Sequence, residues 1–391
     1  MIIIKKKIST WLNYPRMTYN MNEVVQKKTK KFLEGEEHNL FLVSTPFQLL
    51  GAIEAQHFFQ TKNNILVLLY FGGNEKDAQQ LVELTKLFNY TELIVFNVIN
   101  KKKYLNDIIS LLKQLKMYSY NYMFVGFFSA NLRRFIANVY YQKLYLIDDG
   151  VYAASIHREI YDSPNNELYK KYIKRYSEKK RNNFCRQFRF EFYHLYRIIF
   201  LWKNGLRNDM NPKELNFFTM FNLPQYQNEI IEKNNFTFMK QRYHSQQLIE
   251  EDSVYFLGQP LYKVDNMTLA QYVNVVKSIF NYYKERHLKI KYITHRSENE
   301  DVIKEIQSIA DIEVLTLPMP IELYLLSNSI KINKLASFVS TGLFSVKTIY
   351  PSVDIDAFYF TASNANIKNT NDYLYDIMEK HNIHVIKDYN K

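Results

Sequence analysis

With 391 residues, 47% hydrophobic and 16% aromatic, against 9 glycines and 9 prolines, the chain excludes a repeat array, a disordered polymer and long Gly/Pro linkers, and its length suits two domains. A single cysteine, Cys185, excludes an internal disulfide and a cysteine zinc cluster, and no run of eighteen apolar residues exists to span a bilayer. The net charge of +12 is local: residues 1–31 carry +7, residues 151–220 another +7 and the remainder −2, so the body of the molecule is near neutral.

The chain opens on a basic arm, residues 1–38. Its apolar start, Met1-Ile2-Ile3-Ile4, is cut by Lys5, Lys6 and Lys7 too soon for a signal peptide, so export by that route is not expected and a reducing, cytoplasmic setting fits the lone cysteine. Residues 39–43 are an apolar run broken by Thr45-Pro46, and 49–59 have helical apolar spacing. A strand over 65–71 ends at Gly72-Gly73. A helix over 79–88, a strand over 93–98, a helix over 108–115 and strands over 122–127 and 144–147 follow, the last running into Asp148-Asp149-Gly150.

Residues 151–250 read as a basic, aromatic and mostly helical insertion that completes an N-terminal acceptor domain, 39–250. Alternation resumes in 251–391, the expected nucleotide-sugar domain. Strands are predicted over 254–257, 291–294, 313–316, 337–340 and 357–360, and helices over 269–283, 301–310, 321–327 and from 343. This repetition predicts an α/β fold of two Rossmann-like, doubly wound domains facing a cleft, the architecture called glycosyltransferase B. Ligands then bind outside the carboxyl ends of the strands.

Four polar groups stand at such strand ends. Thr45-Pro46-Phe47-Gln48 opens a helix whose free N–H groups suit an anion, or is a plain N-cap. Asp148 and Asp149 repel one another, which raises one pKa towards that of a general base, and Gly150 permits the turn that aims them; an ordinary Asp-Gly turn is the plain alternative. His295-Arg296, with Glu298 to orient the imidazole, offers an acid or cation for a leaving phosphate, or else a helix cap among surface charges. Ser340-Thr341-Gly342 offers hydroxyls and helix N–H groups as a phosphate seat. Glu322 suits ribose hydroxyls or the helix dipole. Asp354-Ile355-Asp356 lies in a strand pattern and reads as structural, not as a metal ligand.

Ser44-Thr45-Pro46-Phe47-Gln48-Leu49, Asp148-Asp149-Gly150, Gly258-Gln259-Pro260-Leu261, His295-Arg296-Ser297-Glu298 and Ser340-Thr341-Gly342-Leu343-Phe344-Ser345 stand in the order seen in family 52 glycosyltransferases, which the chain resembles over residues 39–365. The resemblance implies an inverting sialyltransferase, moving N-acetylneuraminic acid from CMP-sialic acid to a terminal galactose of a lipooligosaccharide or capsule glycan, with no metal and no other cofactor. It implies Asp148 or Asp149 as the base, with Asp265 as the competing candidate, and His295 as the group that eases departure of the CMP phosphate. It implies donor contacts at Gly258, Gln259, Pro260, Arg296, Glu298, Glu322, Ser340, Thr341 and Ser345, acceptor contacts at Thr45, Pro46, Phe47 and Gln48, and a homodimer. Arg296 departs from the proline that follows the histidine in related sialyltransferase families.

Basic-aromatic strings such as residues 169–176 and Phe188-Arg189-Phe190 suit an anionic lipid surface or glycolipid, which puts the enzyme peripherally on the inner face of the cytoplasmic membrane. They equally describe a solvated helical face with its aromatics packed inward. No RNA-binding signature accompanies them, so nucleic acid is not an expected partner. Two other readings stay open: a nucleotide-hexose donor, since some family 52 members transfer glucose, and a non-catalytic basic scaffold for membrane or nucleic acid.

Overall fold

The computed structural model describes residues 37–389 apart from 71–74, 98–103, 129, 162–183, 209, 211, 213, 227, 245–248, 264–266 and 364. The basic arm to residue 36, the string 169–176 and the candidate base Asp265 lie outside the described residues, as do the side chains of Phe188, Arg189 and Phe190.

β1 (His38–Val43) is buried along its whole length, as a central parallel strand covered on both faces must be. Thr45 caps α1 (Pro46–Phe58): its hydroxyl accepts from the Gln48 N–H, and Pro46 takes the first helical position, where no N–H is missed. β2 (Asn64–Tyr70), α2 (Glu75–Thr85), β3 (Glu92–Asn97), α3 (Tyr104–Leu115), β4 (Ser119–Val125), α4 (Ala130–Asn138) and β5 (Tyr140–Ile147) continue the alternation. Then come α5 (Tyr152–Tyr161), α6 (Phe184–Lys203), β6 (Asn216–Thr219), β7 (Ile231–Lys233) and α7 (Thr237–Tyr243). The seven strands pair in parallel in the order β3-β2-β1-β4-β5-β6-β7.

The second unit runs β8 (Ile249–Leu257), α8 (Leu269–Lys284), β9 (Lys289–Ile293), α9 (Glu300–Gln307), β10 (Ile312–Leu315), α10 (Ile321–Ser327), β11 (Ile330–Ser337), α11 (Thr341–Ile349), β12 (Asp354–Phe358), α12 (Ala365–Lys380) and β13 (His384–Ile386). Its parallel sheet, ordered β10-β9-β8-β11-β12-β13, repeats the winding of the first. Two doubly wound domains around a cleft make this a glycosyltransferase B architecture.

The segment 151–250 departs from the helical insertion its composition predicts. It carries α5, α6 and α7, but β6 and β7 also extend the first sheet, and β8 begins at Ile249, ahead of 254. Asn216-Phe217-Phe218-Thr219 is buried at every position, and so short a run carries no period by which to tell strand from helix. The elements α4, α5, α12 and β13 likewise exceed those that apolar periodicity marks.

One buried cluster joins the domains. Phe221, just past β6, meets Phe344 of α11 edge-on at 4.9 Å, and α7 lies between α1 and α10. Glu54 of α1 accepts from the N–H groups of Phe238 (3.0 Å) and Met239 (2.8 Å), so a carboxylate meets the positive end of α7. α12 returns to the first domain: Arg158 of α5 lies over the Tyr373 ring at 4.1 Å, and the Asn222 N–H donates to His381 Nε2 at 3.2 Å. Asp356 is buried among Tyr283 Oη (2.7 Å), Lys334 Nζ (3.1 Å) and His384 Nδ1 (3.2 Å), a structural cluster within the second sheet.

Candidate active site

Each sheet reverses its winding at a switch point, between β1 and β4 in the first and between β8 and β11 in the second. The strand ends there face one cleft of about 360 Å³, within the range of small-molecule sites. From the first domain it is lined by Thr45, Pro46 and Phe47 beyond β1 and by Asp149 and Gly150 beyond β5. From the second come Gly258 and Gln259 beyond β8, His295 and Arg296 beyond β9, Glu322 on α10, and Ser340, Thr341 and Gly342 entering α11.

The two aspartates part company. Asp148 turns away from the cleft: buried, it accepts from Thr219 Oγ1 at 2.6 Å and from the Met220 N–H at 2.7 Å, so it fastens β5 to the end of β6. Burial pushes its pKa up to about 7 against those donors. Asp149 lines the cleft. Burial raises its pKa, while Gln48, the Arg296 guanidinium and Thr45 pull it back. A carboxylate so held is poorly solvated, and its raised proton affinity suits a general base.

Gly150 has φ +67°, a region open to glycine, and a Cβ there would overlap Thr341 Oγ1. Directly after it, the Val151 N–H donates to Thr341 Oγ1 at 3.2 Å. The turn that carries Asp149 thus touches the start of α11 across the cleft. Ser340 caps α11 by accepting from the Gly342 N–H, so part of the phosphate seat is occupied by the cap itself.

His295 is held from behind. Its Nδ1 accepts from the Ser297 N–H at 3.2 Å, with Ser297 Oγ at 2.9 Å, a pattern that assigns the ring proton to Nε2. Burial, together with Arg296 and Lys263, lowers its pKa to about 4, so the ligand-free imidazole is neutral and Nε2–H is a donor. Its backbone N–H donates to Glu298 Oε2 at 3.0 Å, and Glu298 Oε1 accepts from Tyr292 Oη. Tyr292 Oη pairs with Tyr272 Oη at 3.0 Å, and Tyr272 Oη accepts from the Gln259 N–H at 3.0 Å. This chain ties the Gly258-Gln259 turn to the histidine loop. A Cβ at Gly258 would overlap Tyr292 Oη, so glycine is needed for the close approach.

Glu298, Gln48, Pro260 and Ser345 therefore stand behind the lining rather than in it. Gln48 Oε1 accepts from the Ser44 N–H at 2.7 Å. The Pro260 carbonyl accepts from the Lys263 N–H at 2.9 Å. Ser345 Oγ donates to Glu322 Oε1 and braces α10 against α11, while burial raises the Glu322 pKa. Thr294 and Thr316, whose hydroxyls meet at 2.9 Å, Gln80 and Met319 also line the cleft. Thr316 closes a predicted strand, so the strand-end rule alone would have pointed to it.

A family model described as Alpha-2,8-polysialyltransferase (POLYST) matches residues 39–357. No match is found among curated protein sequences. Among solved structures, the chain is similar to an alpha/beta-galactoside alpha-2,3-sialyltransferase from the luminous marine bacterium Photobacterium phosphoreum (11% identity, 89% of this chain and 97% of that one, TM-score 0.44). It is similar also to the spinosyn rhamnosyltransferase SpnG complexed with thymidine diphosphate (7% identity, 88% and 91%, TM-score 0.39) and to a family 9 glycosyl transferase from Veillonella parvula (10% identity, 90% and 98%, TM-score 0.38).

Proposed function

The chain belongs to the alpha-2,8-polysialyltransferase family, a family of sialyltransferases, and from that premise we propose that it moves sialic acid from CMP-sialic acid to a glycan hydroxyl with inversion. In this reading Asp149 takes the proton of the acceptor hydroxyl as its oxygen bonds to the anomeric carbon. The bond from that carbon to the phosphate oxygen breaks on the opposite face, and CMP leaves with the electron pair. His295 Nε2–H, the N-terminus of α11 and the hydroxyls of Ser340 and Thr341 meet the growing charge on the phosphate; Glu322 serves the ribose. A single leaving phosphate suits these neutral donors, so no metal is needed.

The observation that carries this reading is the cleft shared by Asp149 and His295, delivered by strand ends of opposite domains. The acceptor is a galactose-terminated lipooligosaccharide or capsule glycan, as the likeness to family 52 implies, and that finer kinship belongs to the same proposal. The alpha-2,8 description of the family favours a sialic acid terminus instead. A donor panel of CMP-sialic acid against UDP-hexoses, run with galactose-ended and sialyl-ended acceptors, tests both choices. Turnover with a UDP-hexose alone would overturn the donor. With CMP-sialic acid, Asp149→Asn is expected to abolish transfer while the CMP product still binds; transfer that survives in Asp149→Asn would pass the base role to another carboxylate. The enzyme works peripherally on the inner face of the cytoplasmic membrane, where its basic segments meet anionic lipid.

A further inference from the structure

α6 presents its apolar residues outward. Its last turn is fixed to the first domain: Leu201 is fully buried, and just beyond it Lys113 Nζ donates to Asn204 Oδ1 (2.8 Å) and Lys116 Nζ to the Gly205 carbonyl (3.1 Å). On the face that helical geometry turns away from Leu201, Phe192 is followed by Leu195, Tyr196, Ile199 and Trp202, at offsets of three, four, seven and ten residues. They are 66%, 55%, 48%, 44% and 75% exposed. A continuous apolar stripe of this kind marks a surface that something covers.

We propose that this stripe inserts into the interface of an anionic lipid bilayer, with α6 lying in the membrane plane. Charge selects lipid over a second copy of the chain. Along the described side chains of α6, residues 192–203, Arg197 and Lys203 are basic and none is acidic, and a two-fold dimer on this face would set that basic run against its own like. Anionic headgroups attract it instead. Composition agrees, since tyrosine and tryptophan rings are apolar with a polar edge and favour headgroup depth. No helix among the described residues is long and apolar enough to cross a membrane, so α6 lies on the bilayer rather than through it. The inference deepens the peripheral placement proposed above and rests on it, while its test needs no turnover.

Trp11 and Trp202 are the two tryptophans of the chain, so a full-length Trp11→Phe variant reports from Trp202 alone. On vesicles of phosphatidylcholine with about one quarter phosphatidylglycerol, Trp202 emission is expected to shift to the blue and to become shielded from an aqueous quencher. The shift should persist in about 0.5 M salt, where a purely electrostatic attachment is lost. Phe192→Ser and Ile199→Ser should each lower vesicle partition about tenfold, leaving turnover of a soluble acceptor unchanged. Vesicles that bind the protein without moving Trp202 emission overturn insertion by α6 and leave the peripheral reading standing. An absence of vesicle binding overturns both. A dimer that Phe192→Ser dissolves would hand the stripe to a second copy and overturn the proposal. The fluorescence arm stands even where a serine variant folds poorly.

Discussion

In the proposed transfer, the role of His295 rests on one nitrogen. With Nδ1 engaged by Ser297 and the ring neutral, Nε2–H is a donor of fixed direction, and His295→Ala removes it without touching the core. Turnover is expected to fall about a hundredfold, on the order of 3 kcal/mol, with an unchanged circular dichroism spectrum and melting point. Near-wild-type rates would take His295 out of the mechanism. In the ligand-free protein its imidazole should titrate near pH 4, readable by NMR, and CMP should raise that value by supplying a counter-charge. The sequence marks His295 and the aspartate pair plainly, because strand ends followed by polar residues are a local pattern. It cannot say which aspartate faces the cleft. That depends on Thr219 and Met220, 71 and 72 residues further on, whose donors turn Asp148 inward.

At the scale of elements, the Tyr272–Tyr292–Glu298 chain behaves as one unit between the turn after β8 and the loop after β9. Tyr292→Phe deletes the middle hydroxyl and leaves Glu298 short of a donor in a half-buried place. The loss should be about 1–3 kcal/mol of stability, together with a raised KM for the donor. Tyr272→Phe added to it should cost less than it does alone, because the chain is already broken; full additivity in a double-mutant cycle would mean that the hydroxyls act separately. None of this is legible beforehand, since tyrosines on a helix and a strand read simply as core. The misreading of β6 and β7 has a related cause: four- and three-residue strands are specified by the neighbours they pair with, not by their own period. α6 shows the opposite case. Its apolar spacing is plain in the sequence, and only the fold reveals that the stripe faces out while Leu201 faces in.

For the whole molecule, the stabilising groups proposed for the leaving phosphate all come from the chain, so transfer is expected to survive EDTA. Complete loss that manganese or magnesium restores would move the enzyme to a metal-dependent class. A second expectation concerns the seam between domains. Burial, with Lys233 nearby, holds His381 at about 4 against an ordinary 6.5. The unfolded chain therefore binds a proton there that the folded one refuses, so the contribution is intact above pH 6.5 and is lost as pH falls towards 4. His381→Gln, which keeps an acceptor for the Asn222 N–H, should flatten that part of the stability profile by on the order of 1 kcal/mol after solvent screening. Chemical denaturation at pH 7 and pH 5 reads the difference, and identical slopes in both proteins would count against it.

The position of α12 has a consequence for synthesis. The first sheet is complete once Lys233 is made, so that half can condense while the second is still on the ribosome. Its partners Tyr373 and His381 are added after every strand but β13. During elongation the aspartate turn is thus presented long before the helix start that it touches, and the contacts of Tyr373 and His381 with the first domain are the last of the seam to be made. Until His295 and the residues 340–342 are made, the chain lacks the second wall of the cleft altogether.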